Sequence, residues 1–201
     1  MSETGEIFRG FDWRGLLDRR PLLIAIAGPN GAGKSTFYDA FLARADLSFV
    51  NADLLARDLK LDAYAAAEMA GNIREDWVRQ KRSFIFETVF SDPVADKVTF
   101  LAAAAAAGYM VALFFIGIDS PETSDERVAM RVSQGGHDVP RDKLMSRFGR
   151  TMHNLKLAIE KVPLVFVYDN SDLGAPYRQV AFYQNGVAKA IRRPLPNWFP
   201  A

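Results

Sequence analysis

Short runs of apolar residues alternate along this chain with longer segments in which apolar positions recur with helical spacing. The short runs have the length of buried strands, and the longer segments have the periodicity of amphipathic helices. The predicted strands span residues 22–27, 48–51, 83–86, 109–118 and 164–168. The predicted helices span residues 36–45, 63–81, 93–107, 122–133 and 141–161. Strands that alternate with helices in this way indicate a parallel sheet covered by helices on both faces.

The end of the chain has a different pattern. Two runs with strand character, residues 179–184 and 187–191, flank Asn185-Gly186, a strong short-range signal for a β-hairpin. We therefore expect a small antiparallel hairpin over residues 179–192, added to five parallel strands. Residues 1–20 are treated as an N-terminal extension, because they are charged and carry only scattered aromatic residues. No repeat or linker divides the sequence, which predicts one domain over residues 1–201.

Composition and charge narrow the classes of protein. The uncharged stretch 101–118 approaches the length of a membrane span, but Gly108 divides it into an alanine-rich half typical of helix and a half typical of strand. We therefore expect no membrane association. The 201 residues include no cysteine and carry a net charge of +1, so thiolate metal sites are excluded and a nucleic-acid surface is not expected. Because the first residues lack a signal-peptide pattern, we expect a cytoplasmic protein.

The first predicted strand runs directly into Gly-Pro-Asn-Gly-Ala-Gly-Lys-Ser at residues 28–35. This sequence satisfies the P-loop pattern G-x-x-x-x-G-K-[S/T] and lies between a strand and a helix, as that motif requires. In such a loop, backbone N–H groups and the helix N-terminus bind phosphate oxygens. Lys34 is expected to reach the β- and γ-phosphates, and the Ser35 hydroxyl to be a ligand of Mg²⁺. The predicted ATP-binding residues are Gly28, Pro29, Asn30, Gly31, Ala32, Gly33, Lys34, Ser35 and Thr36.

The residues that follow the other strands distinguish among the classes of P-loop protein. Hydrolytic motors and transporters need an apolar strand that ends in Asp-Glu, whereas the third predicted strand ends in the single carboxylate of Glu87. The guanine-reading Asn-Lys-x-Asp of GTPases is absent. The remaining layout is that of a small-molecule kinase, in which phosphoryl transfer depends on positioning and charge neutralisation.

Two acidic positions are candidates for the chemistry of such a kinase. Asp53 lies just beyond the second predicted strand, where parallel sheets bind their ligands. It is a candidate base for the acceptor hydroxyl or a metal ligand, and the alternative is the N-cap of the following helix. Glu87 and Thr88, which close the third strand, are candidates for contacting substrate hydroxyls or a water-bridged metal. The alternative for Glu87 is a carboxylate that caps a turn.

Cationic residues cluster in the helix-loop-helix of residues 120–150, which we predict to be a lid. Arg127 and Arg131 share one face of the first helix, and Arg147 and Arg150 share one face of the second. An arginine brought over the nucleotide would neutralise charge on the transferred phosphoryl group, an effect worth about 10³–10⁵ in rate. The alternative is a solvent-exposed helix face of mixed charge.

The loop between these two helices contains the predicted hinge of the lid, Gly135-Gly136. His137, which follows the hinge, is a candidate for contacting a substrate phosphate. Capping of Val139-Pro140 is the alternative for this side chain.

Taken in order, five segments of the chain resemble the zeta toxin-like P-loop kinases. They are residues 26–36, 51–53, 86–88, 131–140 and 147–155. The P-loop alone is common to many families, but its combination with Gly-Gly-His-x-Val-Pro is typical of the short, free-standing members. The predicted fold is therefore of the α/β class: a P-loop kinase-like, three-layer α/β/α fold with a mostly parallel five-stranded sheet, a helical lid and a C-terminal β-hairpin.

The resemblance also implies an activity. Zeta toxins use ATP and Mg²⁺ to phosphorylate the 3′-hydroxyl of UDP-N-acetylglucosamine. Carried over to this chain, Asp53 is the catalytic base, Lys34 binds phosphate, and Glu87 contacts the sugar. Arg127 or Arg131 is the transition-state arginine. A second lid arginine of the toxins falls at residues 135–137, where this chain has none and so departs from the family.

We therefore predict an ATP-dependent phosphotransferase that acts on a hydroxyl of a small molecule such as a sugar nucleotide. The predicted roles are catalysis by Asp53, Lys34, Arg127 and Arg131, substrate binding by Glu87, Thr88, His137 and Arg147, and metal binding by Ser35 and Asp53. The alternative is a nucleotide-binding switch that hydrolyses ATP slowly and acts through a protein partner. An antitoxin-type partner is not visible in the sequence, and the near-zero net charge disfavours a polynucleotide kinase.

Overall fold

The structure, a computed structural model, describes residues 13–133 and 139–200, except for the side chain of Arg131. Its centre is a seven-stranded sheet in the order β2-β3-β1-β4-β5-β6-β7. The strands are β1 Leu22–Ala27, β2 Ser48–Val50, β3 Phe84–Thr88, β4 Met110–Gly117, β5 Leu164–Asp169, β6 Arg178–Gln184 and β7 Val187–Ile191. The first five are parallel, and the last two are antiparallel. The predicted α/β class with a mostly parallel sheet is confirmed.

The predicted hairpin is present, but it is not a separate appendage. β6 pairs with β5, so the hairpin extends the sheet from the predicted five strands to seven. Asn185 and Gly186 have φ angles of 50° and 77°, as the tight hairpin turn requires. The apolar surface continues across the junction, since the rings of Phe166 and Phe182 stack with centroids 4.6 Å apart. The turn is encoded locally, whereas the strand that the hairpin joins is decided by this long-range packing.

Among the described residues, six helices cover the two faces of the sheet, together with a short 3₁₀ helix at Trp13–Asp18. They are α1 Lys34–Phe37, which continues as a π-helical turn over Tyr38–Leu42, α2 Ala52–Leu59, α3 Ala63–Arg79, α4 Asp96–Ala106, α5 Pro121–Ser133 and α6 Arg141–Lys161. None of those in the described ranges is long and apolar enough to cross a membrane. The stretch 101–118 consists of the end of α4, a turn at Gly108 and β4, as its two textures predicted.

The start of α4 differs from the prediction. The sequence Asp92-Pro93 predicts a helix that begins there, with Asp92 as its cap, whereas α4 begins at Asp96. The reason is a long-range contact: Asn154 Nδ2 on α6 donates hydrogen bonds to the carbonyl oxygens of Phe90 (3.0 Å) and Asp92 (2.9 Å). These bonds hold the segment after β3 in an irregular conformation, and the helix starts only beyond it.

The order of the strands determines where polar groups meet. β1 lies between β3 and β4 and is buried over its whole length. In the register of the sheet, Ala27 pairs with Thr88 and Val50 pairs with Phe86. The residues that follow β1 and β2 therefore lie at the same edge of the sheet as the end of β3. This carboxyl-terminal edge is where ligands bind in open α/β sheets.

Candidate active site

The turn between β1 and α1, residues 28–33, has the geometry of a phosphate-binding loop. Gly28 has a φ of 147°, and a Cβ atom there would lie 2.0 Å from the carbonyl oxygen of Ile116 in β4. Gly33, with a φ of 85°, directly precedes α1. Both positions require glycine, because an L side chain would be strained or would clash. The turn thus places the N-terminus of α1, with its N–H groups and partial positive charge, at the edge of the sheet.

Three side chains from outside the P-loop donate hydrogen bonds to its carbonyl oxygens. They are the Ser124 hydroxyl to Asn30 (2.7 Å), the Asn170 amide to Ala32 (2.9 Å) and the Tyr177 hydroxyl to Gly33 (2.9 Å). Ser124 belongs to α5, and the other two belong to the segment between β5 and β6. Because C=O and N–H point in opposite directions in a planar trans peptide, fixing these carbonyl groups also fixes the N–H groups of the same peptide units.

A compact polar cluster joins the P-loop to the ends of β2 and β3, and Glu87 lies at its centre. Glu87 Oε2 accepts hydrogen bonds from Ser35 Oγ (2.9 Å) and from Asn51 Nδ2 (2.8 Å), and Oε1 lies 3.9 Å from Lys34 Nζ. The side chains of Lys34 and Glu87 are 6% and 11% exposed. The alternative that Glu87 caps a turn is therefore wrong. Its carboxylate faces the P-loop.

Asp53 occupies the first turn of α2, and its side chain is exposed. The cap of this helix is Asn51, whose Oδ1 accepts hydrogen bonds from the backbone N–H groups of Asp53 (2.8 Å) and Leu54 (3.2 Å). The alternative that Asp53 caps the helix is therefore wrong. Within residues 13–133 and 139–200, the Asp53 carboxylate forms no hydrogen bond or ion pair. It is available to an incoming group.

The predicted lid residues on α5 have different surroundings. Arg127 lies against the P-loop, since a Cβ atom built on Gly31 would be 3.0 Å from the Cβ of Arg127. Its guanidinium, however, donates hydrogen bonds to the carbonyl oxygens of Asn170 and Ser171, both at 2.9 Å. Arg131 is also on α5, but its side chain lies outside the described residues, as do the predicted hinge and His137.

The predicted site residues on α6 and β3 also have different surroundings. Arg150 Nε donates to the carbonyl oxygen of Ser91 (2.9 Å), so it binds the irregular segment after β3. Arg147 is half-buried, and its guanidinium makes no hydrogen bond or ion pair with the part of the chain that the structure describes. The Thr88 hydroxyl accepts from the N–H of Phe90 (3.1 Å) within a turn. Substrate binding by Arg147 and Thr88 stays a prediction.

Asp169, at the end of β5, anchors the segment that braces the P-loop. Its Oδ1 accepts from Ser171 Oγ (2.5 Å) and Trp198 Nε1 (3.1 Å), and its Oδ2 pairs with Arg178 Nη2 (3.0 Å). Burial by itself would raise the pKa of Asp169, but these hydrogen bonds outweigh it and the pKa is lowered. Burial raises the pKa of Tyr177, so its hydroxyl remains a donor to the P-loop.

Several residues of this site were not predicted from the sequence. Asn51 has a recognisable signal, because an asparagine between a strand and a helix is a good N-cap. Ser124, Asn170 and Tyr177 have none, since each meets the P-loop only through contacts of long range. The bond from Tyr177 to Gly33, for example, joins residues 144 positions apart.

The family of the chain is decided by a comparison with family models. A model described as AAA domain matches residues 23–150, which is more than half of the 201 residues and includes the P-loop, Asp53 and Glu87. This chain belongs to the AAA domain family. No curated protein matches.

Solved structures share the fold of this family member at low sequence identity. The complex of AvrRxo1-ORF1 and AvrRxo1-ORF2 with sulphate ions matches at a TM-score of 0.70 and 16% identity, over 90% of this chain and 64% of that one. The same complex with ATP matches at 0.67 and 16% identity, over 88% and 63%. This chain thus spans less than two thirds of the length of those chains.

A third solved structure comes from the PezAT chromosomal toxin-antitoxin system of Streptococcus pneumoniae. It matches at a TM-score of 0.59 and 15% identity, over 78% of this chain and 73% of that one. Together the comparisons confirm the P-loop kinase-like α/β fold that the resemblance implied. Membership of the narrower UDP-N-acetylglucosamine kinase-like group stays a prediction.

Proposed function

We propose that this protein is an ATP-dependent phosphotransferase that transfers the γ-phosphate to a hydroxyl group of a small molecule. The observation that carries the proposal is the cluster of Lys34, Ser35, Asn51 and Glu87 at the P-loop. The exposed carboxylate of Asp53 lies two residues beyond Asn51. Phosphoryl transfer depends on a phosphate-binding loop, a group that holds metal and a carboxylate that orients the acceptor. This cluster supplies all three.

ATP would be bound by residues 28–36, with its phosphates on the N–H groups of the P-loop and its γ-phosphate near Lys34. The braced geometry of the loop supports this assignment, because its N–H groups are oriented before any ligand binds. The structural similarity to a complex solved with ATP gives further support.

The residues at the P-loop also fit Mg²⁺. A hydroxyl and a carboxylate, from Ser35 and Glu87, stand 2.9 Å apart, and hard oxygen donors are the ligands that Mg²⁺ prefers. The described residues include no cluster of three or more acidic or His side chains that could hold a metal alone. This agrees with Mg²⁺ sites in kinases, where substrate phosphates and water complete the coordination. The bound ion would offset the charge of the phosphates.

The position of Glu87 changes the role that the resemblance implied for it. A residue that contacts the sugar should be free to face the acceptor, whereas the Glu87 carboxylate is bonded to Ser35 and Asn51. We therefore assign Glu87 to the metal side of the site, and Asp53 to the acceptor side.

In the proposed reaction, the acceptor oxygen forms a bond to the γ-phosphorus while the bond from that phosphorus to the β–γ bridging oxygen breaks. The proton of the acceptor hydroxyl passes to the Asp53 carboxylate, and ADP leaves. Lys34 neutralises negative charge on the β- and γ-phosphates. Arg127 is a positioning residue. Its guanidinium holds the segment between β5 and β6, and Asn170 of that segment donates a hydrogen bond to the P-loop. Arg131, Arg147 and His137 are proposed to face the phosphates or the acceptor from the lid.

The acceptor that we propose to test first is UDP-N-acetylglucosamine, as the resemblance to zeta toxins implies. The structural similarity to a chain from a toxin-antitoxin system supports this choice. A protein partner of antitoxin type is proposed on the same ground and is tested by co-purification with the tagged protein from its native cells.

The test is transfer of labelled γ-phosphate to a panel of sugar nucleotides and other hydroxyl-bearing metabolites. We expect an organic phosphate ester to form with the wild type. Asp53→Asn should slow its formation at least 100-fold, within the range for a positioned general base. Failure to label any acceptor would remove the kinase proposal. Equal rates for Asp53→Asn and wild type would remove only the role of Asp53.

One observation favours a second candidate, a nucleotide-dependent switch that acts through a partner. The guanidinium groups of Arg127 and Arg150 are bonded to main-chain carbonyl groups instead of facing the P-loop. A switch predicts tight nucleotide binding with slow turnover that no small-molecule acceptor accelerates. The labelling experiment separates the two, since only a kinase transfers label to carbon-bound hydroxyl groups.

A further inference from the structure

Arg74 on α3 is a charged side chain that the protein itself leaves largely unsatisfied. Its guanidinium covers the ring of Phe86, with Cζ 5.1 Å from the ring centroid. Burial lowers the pKa of Arg74, and only the adjacent Glu75 acts in the opposite direction. Within residues 13–133 and 139–200, Arg74 forms no hydrogen bond or salt bridge. The five N–H donors of a guanidinium therefore have no protein acceptor in this part of the chain.

A guanidinium in this environment is energetically unfavourable unless a ligand supplies acceptors for its N–H groups. A partly buried charge is costly without a partner. The contact with Phe86 offsets part of the cost, but phenylalanine is a weaker cation–π partner than tryptophan. The contact with the ring also provides no oxygen acceptor for the N–H groups of the guanidinium. Those groups match the two oxygens of a carboxylate or phosphate.

The sheet places Arg74 next to the candidate active site. Phe86, which Arg74 covers, directly precedes Glu87. In the register of the sheet, Phe86 pairs with Val50, which directly precedes Asn51. Arg74 therefore covers a residue that directly precedes Glu87 and that pairs with the residue directly before Asn51. Arg74 belongs to α3, which follows α2, the helix whose first turn carries Asp53.

Gly71, one turn before Arg74 on the same helix, provides an independent observation. Glycine is disfavoured inside a helix relative to alanine, and nothing in the local packing requires it here. A Cβ atom at Gly71 would meet a single atom within 4 Å beyond the helix backbone, Arg74 Nη2 at 3.7 Å, which is an ordinary contact. The glycine therefore keeps open a space that is bordered by the guanidinium.

We propose that Arg74 binds an anionic group, a carboxylate or a phosphate, on the acceptor molecule, and that Gly71 leaves room for that group. This inference rests on the proposed function, because it places the acceptor hydroxyl at Asp53. It narrows the acceptors to small molecules that carry both a hydroxyl and an anionic group. Neutral sugars and simple alcohols are therefore not expected to be acceptors.

The first test uses acceptors in matched sets: glucose, gluconate and glucose 6-phosphate, then glycerol, glycerate and glycerol 3-phosphate, with UDP-N-acetylglucosamine alongside. We expect phosphoryl transfer only to the anionic acceptors of each set. Whether the carboxylate or the phosphate acceptor reacts faster identifies the anionic group that Arg74 binds. Arg74→Met keeps the apolar stem and should raise the acceptor KM at least about tenfold, the loss typical of one charge-assisted hydrogen bond. The KM for ATP should not change. Arg74→Lys should recover part of the affinity.

Arg82 offers a matched control, because its guanidinium also covers an aromatic ring, that of Trp77 at 4.4 Å, but at the opposite end of β3. Arg82→Met should leave both KM values unchanged. Equal transfer to neutral and anionic acceptors, or an acceptor KM that Arg74→Met does not alter, would overturn the inference.

A second test separates this inference from the proposed function. Inorganic phosphate and acetate are titrated into protein saturated with a non-hydrolysable ATP analogue, while the Nε–H signals of arginine are followed by NMR. The Arg74 signal should shift with at least one anion, and Gly71→Ala should weaken that binding while raising the thermal midpoint. A shift without any phosphorylated acceptor would keep the anion site and remove the kinase. An Arg74 signal that neither anion moves would remove the site whatever the activity.

Discussion

Glu87 connects the P-loop with the ends of β2 and β3, because its two carboxylate oxygens face different partners. Oε2 accepts hydrogen bonds from Ser35 and Asn51, and Oε1 faces the Lys34 ammonium group at 3.9 Å. A carboxylate that two donors hold in place is oriented before metal or nucleotide arrives, and such outer contacts strongly affect metal affinity. The direct pairing of β3 with β1 brings Glu87 to this position.

Glu87→Gln tests this role at the scale of one residue. The amide keeps the shape and can still accept the hydrogen bond from Asn51, so the free energy of unfolding should change little. The lost charge should lower the apparent Mg²⁺ affinity and the rate by about 10–100-fold. Initial rates across a Mg²⁺ titration measure both. Glu68→Gln, at an exposed position of α3, is the control, and a Glu87 variant with unaltered Mg²⁺ dependence would contradict the assignment.

Asn51 has two functions that a pair of variants can separate. It caps α2 and also donates to Glu87. Asp62 caps α3 in the same way, accepting from the N–H groups of Tyr64 (2.8 Å) and Ala65 (3.0 Å). It is exposed and, among the described residues, forms no hydrogen bond or ion pair with the P-loop cluster.

Asn51→Ala and Asp62→Ala should each lower the free energy of unfolding by about 0.5–2 kcal/mol, the usual loss of an N-cap. Only Asn51→Ala should also lower the rate of phosphoryl transfer, because only Asn51 orients Glu87. Urea unfolding and initial-rate measurements on the two variants provide the comparison. Equal activity in both would show that the bond to Glu87 has no catalytic importance.

At the scale of elements, the segment between β5 and β6 acts as a support for the P-loop. Tyr177 and Asn170 reach two carbonyl groups of the loop, and Arg127 on α5 binds the main chain of the same segment. The segment is therefore fixed from both sides and can hold the loop open for phosphate.

Tyr177→Phe removes one of these supports and keeps the ring that packs on Phe37 with centroids 5.3 Å apart. The lost hydrogen bond corresponds to about 0.5–1.5 kcal/mol, so we expect the KM for ATP to rise about two- to tenfold. Tyr109→Phe is the matched control, because its hydroxyl bonds to the carbonyl oxygens of Trp77 and Arg82 (both 3.0 Å), at the far end of β3. Isothermal titration with an ATP analogue measures the effect, and identical affinities in both variants would exclude a support role for Tyr177.

The parts of the fold that the sequence predicted are those with local signals. Five parallel strands, the P-loop and the Asn185-Gly186 turn follow from periodicity, a motif and turn chemistry. The start of α4 and the addition of the hairpin to the main sheet were not predictable, because Asn154 and the Phe166–Phe182 stack act across long distances in sequence. In the site, Lys34 and Ser35 are given by the P-loop motif and Glu87 by its position at the end of β3. The direction of the Arg127 guanidinium, in contrast, depends on packing that no local pattern encodes.

At the scale of the whole molecule, the C-terminal tail is joined to the site through Asp169. Trp198 is buried and donates to this carboxylate, and its ring fills space beside Gly117, where a Cβ atom would lie 2.2 Å from the indole. Arg178 pairs with the other oxygen of Asp169. One ionised group thus ties together the tail, β6 and the segment that braces the P-loop.

Asp169 should therefore contribute a pH-dependent part of the stability. Its pKa is lowered in the folded state, so its contribution is present above the pKa of the unfolded chain and is lost as the pH falls through the folded pKa. For an aspartate this loss lies below about pH 4. The free energy of unfolding of Asp169→Asn should therefore fall less steeply than that of the wild type as the pH decreases below about 4. Parallel curves would contradict the role of Asp169.

We propose that the site transfers phosphate to a hydroxyl group and not to water. The most direct measurement is the fate of the γ-phosphate of ATP in ¹⁸O-labelled water, with a small-molecule extract supplied as the source of acceptors. We expect most of the consumed γ-phosphate to appear as organic phosphate esters without ¹⁸O, and we expect both Lys34→Met and Asp53→Asn to reduce the rate at which this product forms. Release of all the γ-phosphate as ¹⁸O-labelled inorganic phosphate, at a rate that the extract does not change, would contradict the proposal.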